Sequence, residues 1–370
     1  MPLNTNFPGT IRFPNGRKTL DGAAGKRERD APGRTGRIKI GPGPGNIGQN
    51  RYLRCKSHNI MDTGTNSDRR WIVGIGEALW DVLPEGRKIG GAPANFAYHV
   101  SQFGFPGCAV SAVGDDEPGH ELRRQLAANG VQHILEEVPF PTGTVQVSLD
   151  AAGKPEYEIR REVAWDNIPF TAELEALARQ TRAVCFGSLA QRSPVSRQTI
   201  ARFLETMPGG QGQYRIFDIN LRQRFYTRDI VVDSLRRCNI LKINDEELEI
   251  VGAMFGLEAA APEERCRALL EKYGLGALIL TCGADGSHVF TPGGMSYVAT
   301  PRVEVADTVG AGDSFTAAFL SALLAGCGTG EAHRLAVEVS AHVCTCRGAM
   351  PELPERFTGR LRKGLAAEAD

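Results

Sequence analysis

From Trp71 onward, short apolar runs alternate with amphipathic segments, and that rhythm limits the fold more than any single motif. Residues 72–75, 108–113, 183–186, 215–218, 240–242 and 277–281 read as strands. Residues 93–103, 119–129, 171–182, 195–207, 246–254 and 262–273 carry helical spacing between them. Alternation at this spacing predicts an α/β fold, a mostly parallel sheet with helices on both faces. One region breaks the rhythm. Residues 144–149 and 157–161 are alternating runs joined by a segment of turn composition, Asp150 to Pro155, which predicts a hairpin neighbouring the stretch 81–88.

The segment Asp307, Thr308, Val309, Gly310, Ala311, Gly312, Asp313, Ser314, Phe315 carries the chemistry. Two glycines one residue apart feed an apolar run with helical spacing, so a tight turn opens a helix with Asp313 in its first turn. Free N–H groups and the positive end of the helix dipole favour an anion there. Small residues let a phosphate approach the backbone, and an acid can take the proton of an incoming hydroxyl. Phosphoryl transfer to an alcohol fits this pairing; so does a helix merely capped by Asp313.

With 370 residues, 42% of them hydrophobic, the chain can bury a large core in one α/β domain or two smaller ones. Its formal net charge is zero, which gives no global case for nucleic acid or a membrane surface. The distribution is uneven. The first 60 residues hold 12 Lys and Arg against three acids (Asp21, Glu28, Asp30), and the remainder holds 31 basic and 40 acidic side chains. Rich in Gly, Pro and Asn, residues 1–70 are expected to be a disordered basic extension. A transit peptide and a nucleic-acid arm compete as explanations, but the head is poor in Ser before Met61 and its charges are scattered. The favoured reading places the true start at Met61, shortly before the first strand. Nine cysteines, an odd number without CxxC spacing, suit reduced thiols in a cytoplasmic protein. No secretory signal and no apolar stretch of membrane-spanning length is visible. Gly74 and Gly76 follow a strand, but Leu79 breaks the dinucleotide pattern, and there is no P-loop and no HExxH.

The segment 307–315 resembles the C-terminal signature of the ribokinase-like (PfkB) carbohydrate kinases. Gly90, Gly91, Ala92, Pro93, Ala94, Asn95, Phe96 and Ala97 are similar to that family's N-terminal glycine signature. The two stand in family order, and the likeness runs from about Ile72 to about Pro354. It implies a kinase domain over residues 71–370, with a small β lid over the sugar from strands near 81–90 and 144–162. It implies that Asp313 is the catalytic base and that Gly310, Ala311 and Gly312 cradle the transferring phosphoryl. Asp81, Gly90, Gly91 and Asn95 match positions that hold sugar hydroxyls. Asn244 and Glu247 resemble the Asn-x-x-Glu motif that organises Mg²⁺ and the ATP phosphates, with Glu247 acting partly through water. Thr281, Gly283 and Gly286 resemble the nucleotide loop, and residues 341–351, with Arg347, Gly348 and Ala349, the segment near the adenine. Arg222 lies in a segment seen in fructokinase-like members and offers a phosphate its fork of donors. A monovalent cation such as K⁺ would sit near Asp307. Two subunits could pair through the lid.

The expected activity is therefore ATP- and Mg²⁺-dependent phosphorylation of a sugar. Gly76 to Asp81, the form of the N-terminal signature, and Ala164, Trp165 and Asp166 look most like bacterial-type fructokinases. Fructose to fructose 6-phosphate comes first, with ribose or 2-keto-3-deoxygluconate as the substrate of a sister kinase. A catalytically silent sugar sensor on the same fold is the remaining alternative; intact Asp313, Gly310 and Gly312 speak against it.

Overall fold

The computed structural model describes residues 70–83, 86–149, 155–359 and 361; the basic head and most of the turn after residue 149 lie outside them. In chain order the elements are β1 (Trp71–Ile75), β2 (Leu79–Leu83), β3 (Gly86–Gly90), α1 (Ala92–Gln102), β4 (Gly107–Gly114), α2 (Glu117–Ala128), β5 (Gln132–Val138), β6 (Gly143–Leu149), β7 (Pro155–Ile159), α3 (Ala172–Arg179), β8 (Thr181–Phe186), α4 (Pro194–Thr206) and β9 (Tyr214–Asp218). There follow α5 (Arg228–Arg237), β10 (Ile240–Asn244), α6 (Asp245–Phe255), α7 (Pro262–Tyr273), β11 (Ala277–Thr281), β12 (Ser287–Thr291), β13 (Gly294–Val298), α8 (Ala311–Leu324) and α9 (Thr329–Cys344).

Nine strands form one sheet in the order β13-β12-β11-β10-β9-β8-β1-β4-β5. It is parallel from β11 to β5 and ends in the antiparallel ribbon β11-β12-β13. Every residue of β4 is buried, as a central strand covered on both faces requires. One face packs Ile72, Cys185, Ile216 and Ile279 against Phe96 and Phe103 of α1, Phe315 and Phe319 of α8, and Val337 of α9. Their sheet neighbours Val73, Val184, Phe217 and Leu278, which point the other way, are equally buried.

The remaining strands form a second sheet, β3-β2-β6-β7, in which β2 and β6 are parallel and the other pairs antiparallel. Some local readings change. The helix expected over 171–182 is α3 alone: Thr171 caps it by accepting from Leu174 N–H, it stops at Arg179, and Thr181 and Arg182 open β8. β5 was not foreseen, because Glu136 and Glu137 separate Ile134 and Leu135 from Val138, which leaves neither an apolar run nor an alternation. Nor was α5, whose ten residues include five charged ones.

The chain leaves β1 toward β4 and β5, then returns to the other side of β1 with β8 and continues outward. Ligands in open α/β sheets bind where the strand order reverses in this way, off the carboxyl ends of the strands. No helix among the described residues is long and apolar enough to cross a membrane.

Candidate active site

Gly310 sits at the N-cap of α8 with φ +78°. A Cβ there would come within 2.7 Å of the Ala349 backbone, so both conformation and space demand glycine. The turn delivers Ala311, Gly312 and Asp313 as the first residues of α8, where N–H groups have no helical acceptor. The loop beneath is tied down by Asp307, whose two carboxylate oxygens accept from Val309 N–H and Gly348 N–H, each at 3.0 Å.

Two cavities meet at this helix end. The first, about 590 Å³, is lined among others by Glu77, Asp81, Gly91, Asn95, Arg222 and Asp313. The second, about 840 Å³, is lined by Gly283, Gly286 and Ala311, and by the apolar side chains of Val303, Phe315 and Val337. Asn244, Thr281, Thr308 and Gly312 face both. The residues singled out from the sequence thus divide into two groups that touch at Gly312. Gly90 stands just behind the first cavity, where a Cβ would fall 2.3 Å from Asp81 Oδ2. Ala341 lines the second cavity, but the neighbouring stretch takes another place: Ala349 packs beneath Gly310 and Gly348 holds Asp307.

Asp313 accepts a hydrogen bond of 2.8 Å from Asn95 Nδ2, which joins the two glycine signatures across 218 residues of chain. Burial and the charge of Asp218 push its carboxyl up to about 6, against the pull of Asn95, Lys242 and Arg222. Asp81 is likewise raised to about 6 by burial, with Arg222 opposing. Asn244 and Glu247 form a reciprocal cap on α6: Asn244 Oδ1 accepts from Glu247 N–H, and Glu247 Oε2 from Asn244 N–H. Glu247 Oε1 also accepts from Leu221 N–H at 2.8 Å. With both oxygens already engaged, Glu247 suits a hydrated cation better than direct ligation.

Four residues at the site were given no role in the reading of the sequence: Lys242, Asp218, Thr316 and Glu77. Lys242 and Asp218 are register neighbours on β10 and β9, with Nζ 3.0 and 2.9 Å from the two carboxylate oxygens. Burial pulls the Lys242 ammonium down, but Asp218 outweighs it and holds the group above its ordinary value. Its Nζ lies 3.0 Å from where a Cβ on Gly312 would stand. Thr316 bridges Asp218 Oδ2 and Gly312 O. Glu77 is 3% exposed, its Oε2 has no partner, and burial together with Asp313 pushes its carboxyl up to about 7. A lysine inside the apolar run 240–243 was the one available signal.

A pocket of this composition, at the mouth of a parallel sheet and beside a glycine-capped helix, defines an enzyme that handles an anion and a polyol. The pfkB family carbohydrate kinase pattern matches residues 85–356, and the chain belongs to that family. It is 29% identical over 308 residues to a fructokinase of Escherichia coli, covering 78% of this chain and 97% of the relative. It is 28% identical over 319 residues to the aminoimidazole riboside kinase of Salmonella typhimurium, covering 81% and 95%. A crystal structure of aminoimidazole riboside kinase from Salmonella enterica, complexed with aminoimidazole riboside and an ATP analogue, superposes with a TM-score of 0.63 at 26% identity, over 80% of this chain and 99% of that one. The chain is a carbohydrate kinase on the ribokinase-like fold.

Proposed function

We propose that the enzyme transfers the γ-phosphoryl group of ATP to a sugar hydroxyl, with fructose, giving fructose 6-phosphate, as the first substrate. The observation that carries this reading is Asp313, held by Asn95 at the junction of the two cavities and beside the N–H groups of α8. The sugar occupies the cavity lined by Asp81, Gly91 and Asn95, and the nucleotide the cavity lined by Thr281, Gly283 and Gly286. Asp313 accepts the hydroxyl proton as the sugar oxygen bonds to phosphorus and the bond from phosphorus to the ADP oxygen breaks. Gly310, Ala311 and Gly312 donate backbone N–H groups to the charge on the transferring phosphoryl, with the Lys242 ammonium alongside. Arg222 steadies the same group from the sugar side. Asn244 and Glu247 would hold Mg²⁺, which would supply charge neutralisation for the ATP phosphates. Asp307 is the place for a monovalent cation such as K⁺.

The test is ADP release from Mg-ATP with fructose, ribose, 2-keto-3-deoxygluconate and aminoimidazole riboside, the last added because a relative acts on it. The expected result is turnover on fructose well above the others. Turnover on another of the four moves the substrate and keeps the mechanism; none, from folded protein with K⁺ present, overturns the reading. Replacing Gly310 by Ala separates cradle from fold. The added Cβ meets Ala349 backbone and forces the turn out of its left-handed conformation, which displaces the N–H groups of Ala311 and Gly312. Loss of oxyanion-type donors lowers turnover roughly 10²–10³-fold, so kcat should fall by about that much with the sugar KM little changed.

A further inference from the structure

A third cavity of about 440 Å³ shares no lining residue with the other two. Two segments nevertheless border both it and the sugar cavity: Ile159 and Leu221 to Gln223 face the sugar side, while Arg161, Glu162 and Arg224 to Thr227 face the third cavity. Its wall carries three guanidinium groups, from Arg161, Arg192 and Arg224.

Arg192 is the most constrained of the three. Its Nε and Nη2 grip the two oxygens of Asp166 at 2.8 and 2.9 Å. Its guanidinium lies 4.0 Å from the Trp165 ring and 4.5 Å from the Phe225 ring. The side chain is 8% exposed, and Nη1 is buried without any partner. A buried guanidinium nitrogen left unpaired is costly and calls for an acceptor. Arg161 stacks on Phe225 as well, at 4.9 Å. Stacking holds the plane of the group and leaves its in-plane N–H donors for an oxyanion. Among the described residues neither Arg161 nor Arg224 has a carboxylate partner. Asp166 is spent on Arg192, so among the described lining residues Glu162 is the acid left to oppose the other two arginines, and the wall keeps a positive excess. The backbone bends into the left-handed region at Glu162 (φ +56°) and again at Gln223 (φ +48°), next to Arg224. Strain of this kind in non-glycine residues is held where a site needs it. Phe140, Phe225 and Tyr226 complete an aromatic wall.

We propose that this cavity binds a small phosphomonoester, its phosphate on Arg161 and Arg224 beside the buried Arg192, its carbon skeleton on the aromatic wall. The volume exceeds what a bare carboxylate or phosphate fills, and a dianion matches two arginines that have no carboxylate partner among the described residues. The ligand would grip the same loop that presents Arg222 to the sugar cavity, so the site is an effector site rather than a second active site.

The experiment reads binding and so stands apart from the kinase assay. The full chain is titrated with inorganic phosphate and with fructose 6-phosphate by calorimetry, while the fluorescence of Trp165 reports occupancy and Trp165→Phe assigns the signal. Arg161→Glu/Arg224→Glu and the milder Arg161→Gln/Arg224→Gln are compared with Asp313→Asn. The expected result is saturable binding, tighter for the sugar phosphate, weakened at least tenfold in both double variants at unchanged thermal midpoint and retained in Asp313→Asn. Equal affinity in the double variants would assign the phosphate to the α8 cradle and overturn the proposal. So would the absence of saturable binding to the unmodified chain.

Discussion

Asp313→Asn is expected to lower turnover roughly 10²–10⁴-fold, the share of a general base, and to raise the thermal midpoint at pH 7.5. Both effects have one cause. The carboxyl is desolvated and faces Asp218, so its charged form is disfavoured and its value lies near 6 instead of 3.8. A folded-state value above the unfolded one means that the native state binds the proton more tightly. Its contribution to stability is therefore complete below the unfolded value of 3.8 and is lost as pH rises through about 6. At neutral pH the ionised carboxylate costs the fold roughly 1–3 kcal/mol, and the amide removes that cost while still accepting from Asn95. The gain in midpoint should vanish near pH 4, where the native carboxyl is also neutral. For the unmodified enzyme, kcat/KM should fall about tenfold per pH unit below about 6, because the base must be ionised to accept a proton. Glu77 titrates near 7 in the same cavity and is coupled to Asp313, so the acid limb belongs to the pair. Near-normal turnover in Asp313→Asn would remove it from the role of base. An unchanged midpoint at pH 7.5 would show that the site does not strain the ionised form.

What could be read in advance follows the range over which each signal acts. Strands such as β1, β8 and β11 are short apolar runs flanked by helices, and burial on both faces makes that pattern local and visible. The ribbon β12–β13 was not read as strands, since residues of β13 alternate between partly buried and exposed with weak apolar contrast. The glycine turn before α8 was legible because its requirement is also local: Gly310 needs a left-handed backbone and a missing Cβ within one turn. The pairing of Lys242 with Asp218 was not, because it depends on the register of two neighbouring parallel strands. The bond from Asn95 to Asp313 could be anticipated only as two signatures in order, since the contact is made by the packing of α1 on α8. Ala349, assigned by resemblance to the adenine end, lies under Gly310 instead: its position is set by the turn it supports, and no spacing in the sequence encodes that contact.

Lys242→Met is expected to destabilise the fold by about 3–5 kcal/mol and to abolish most turnover. The lysine and Asp218 side chains are 10% and 9% exposed, and each is the other's principal counter-charge. Removing the ammonium leaves a buried carboxylate with only the Thr316 hydroxyl, at 3.3 Å, and strands it near Asp313. A buried pair loses far more when one partner is deleted than when both are replaced. Adding Asp218→Asn should therefore recover most of the lost stability, since the amide keeps its bond to Thr316 and no bare charge remains. Turnover should not recover. Nζ stands beside Gly312, within reach of whatever the first turn of α8 holds, and neither methionine nor asparagine supplies a positive charge there. Urea unfolding of the single and double variants gives the stability difference, and kcat with saturating Mg-ATP gives the catalytic one. Restored turnover in the double variant would reduce Lys242 to a structural partner of Asp218. Full stability in the single variant would mean that the pair is not the buried unit its geometry describes. Recovery of stability alone would separate the two duties of one side chain: it holds β9 to β10, and it keeps a cation at the end of α8.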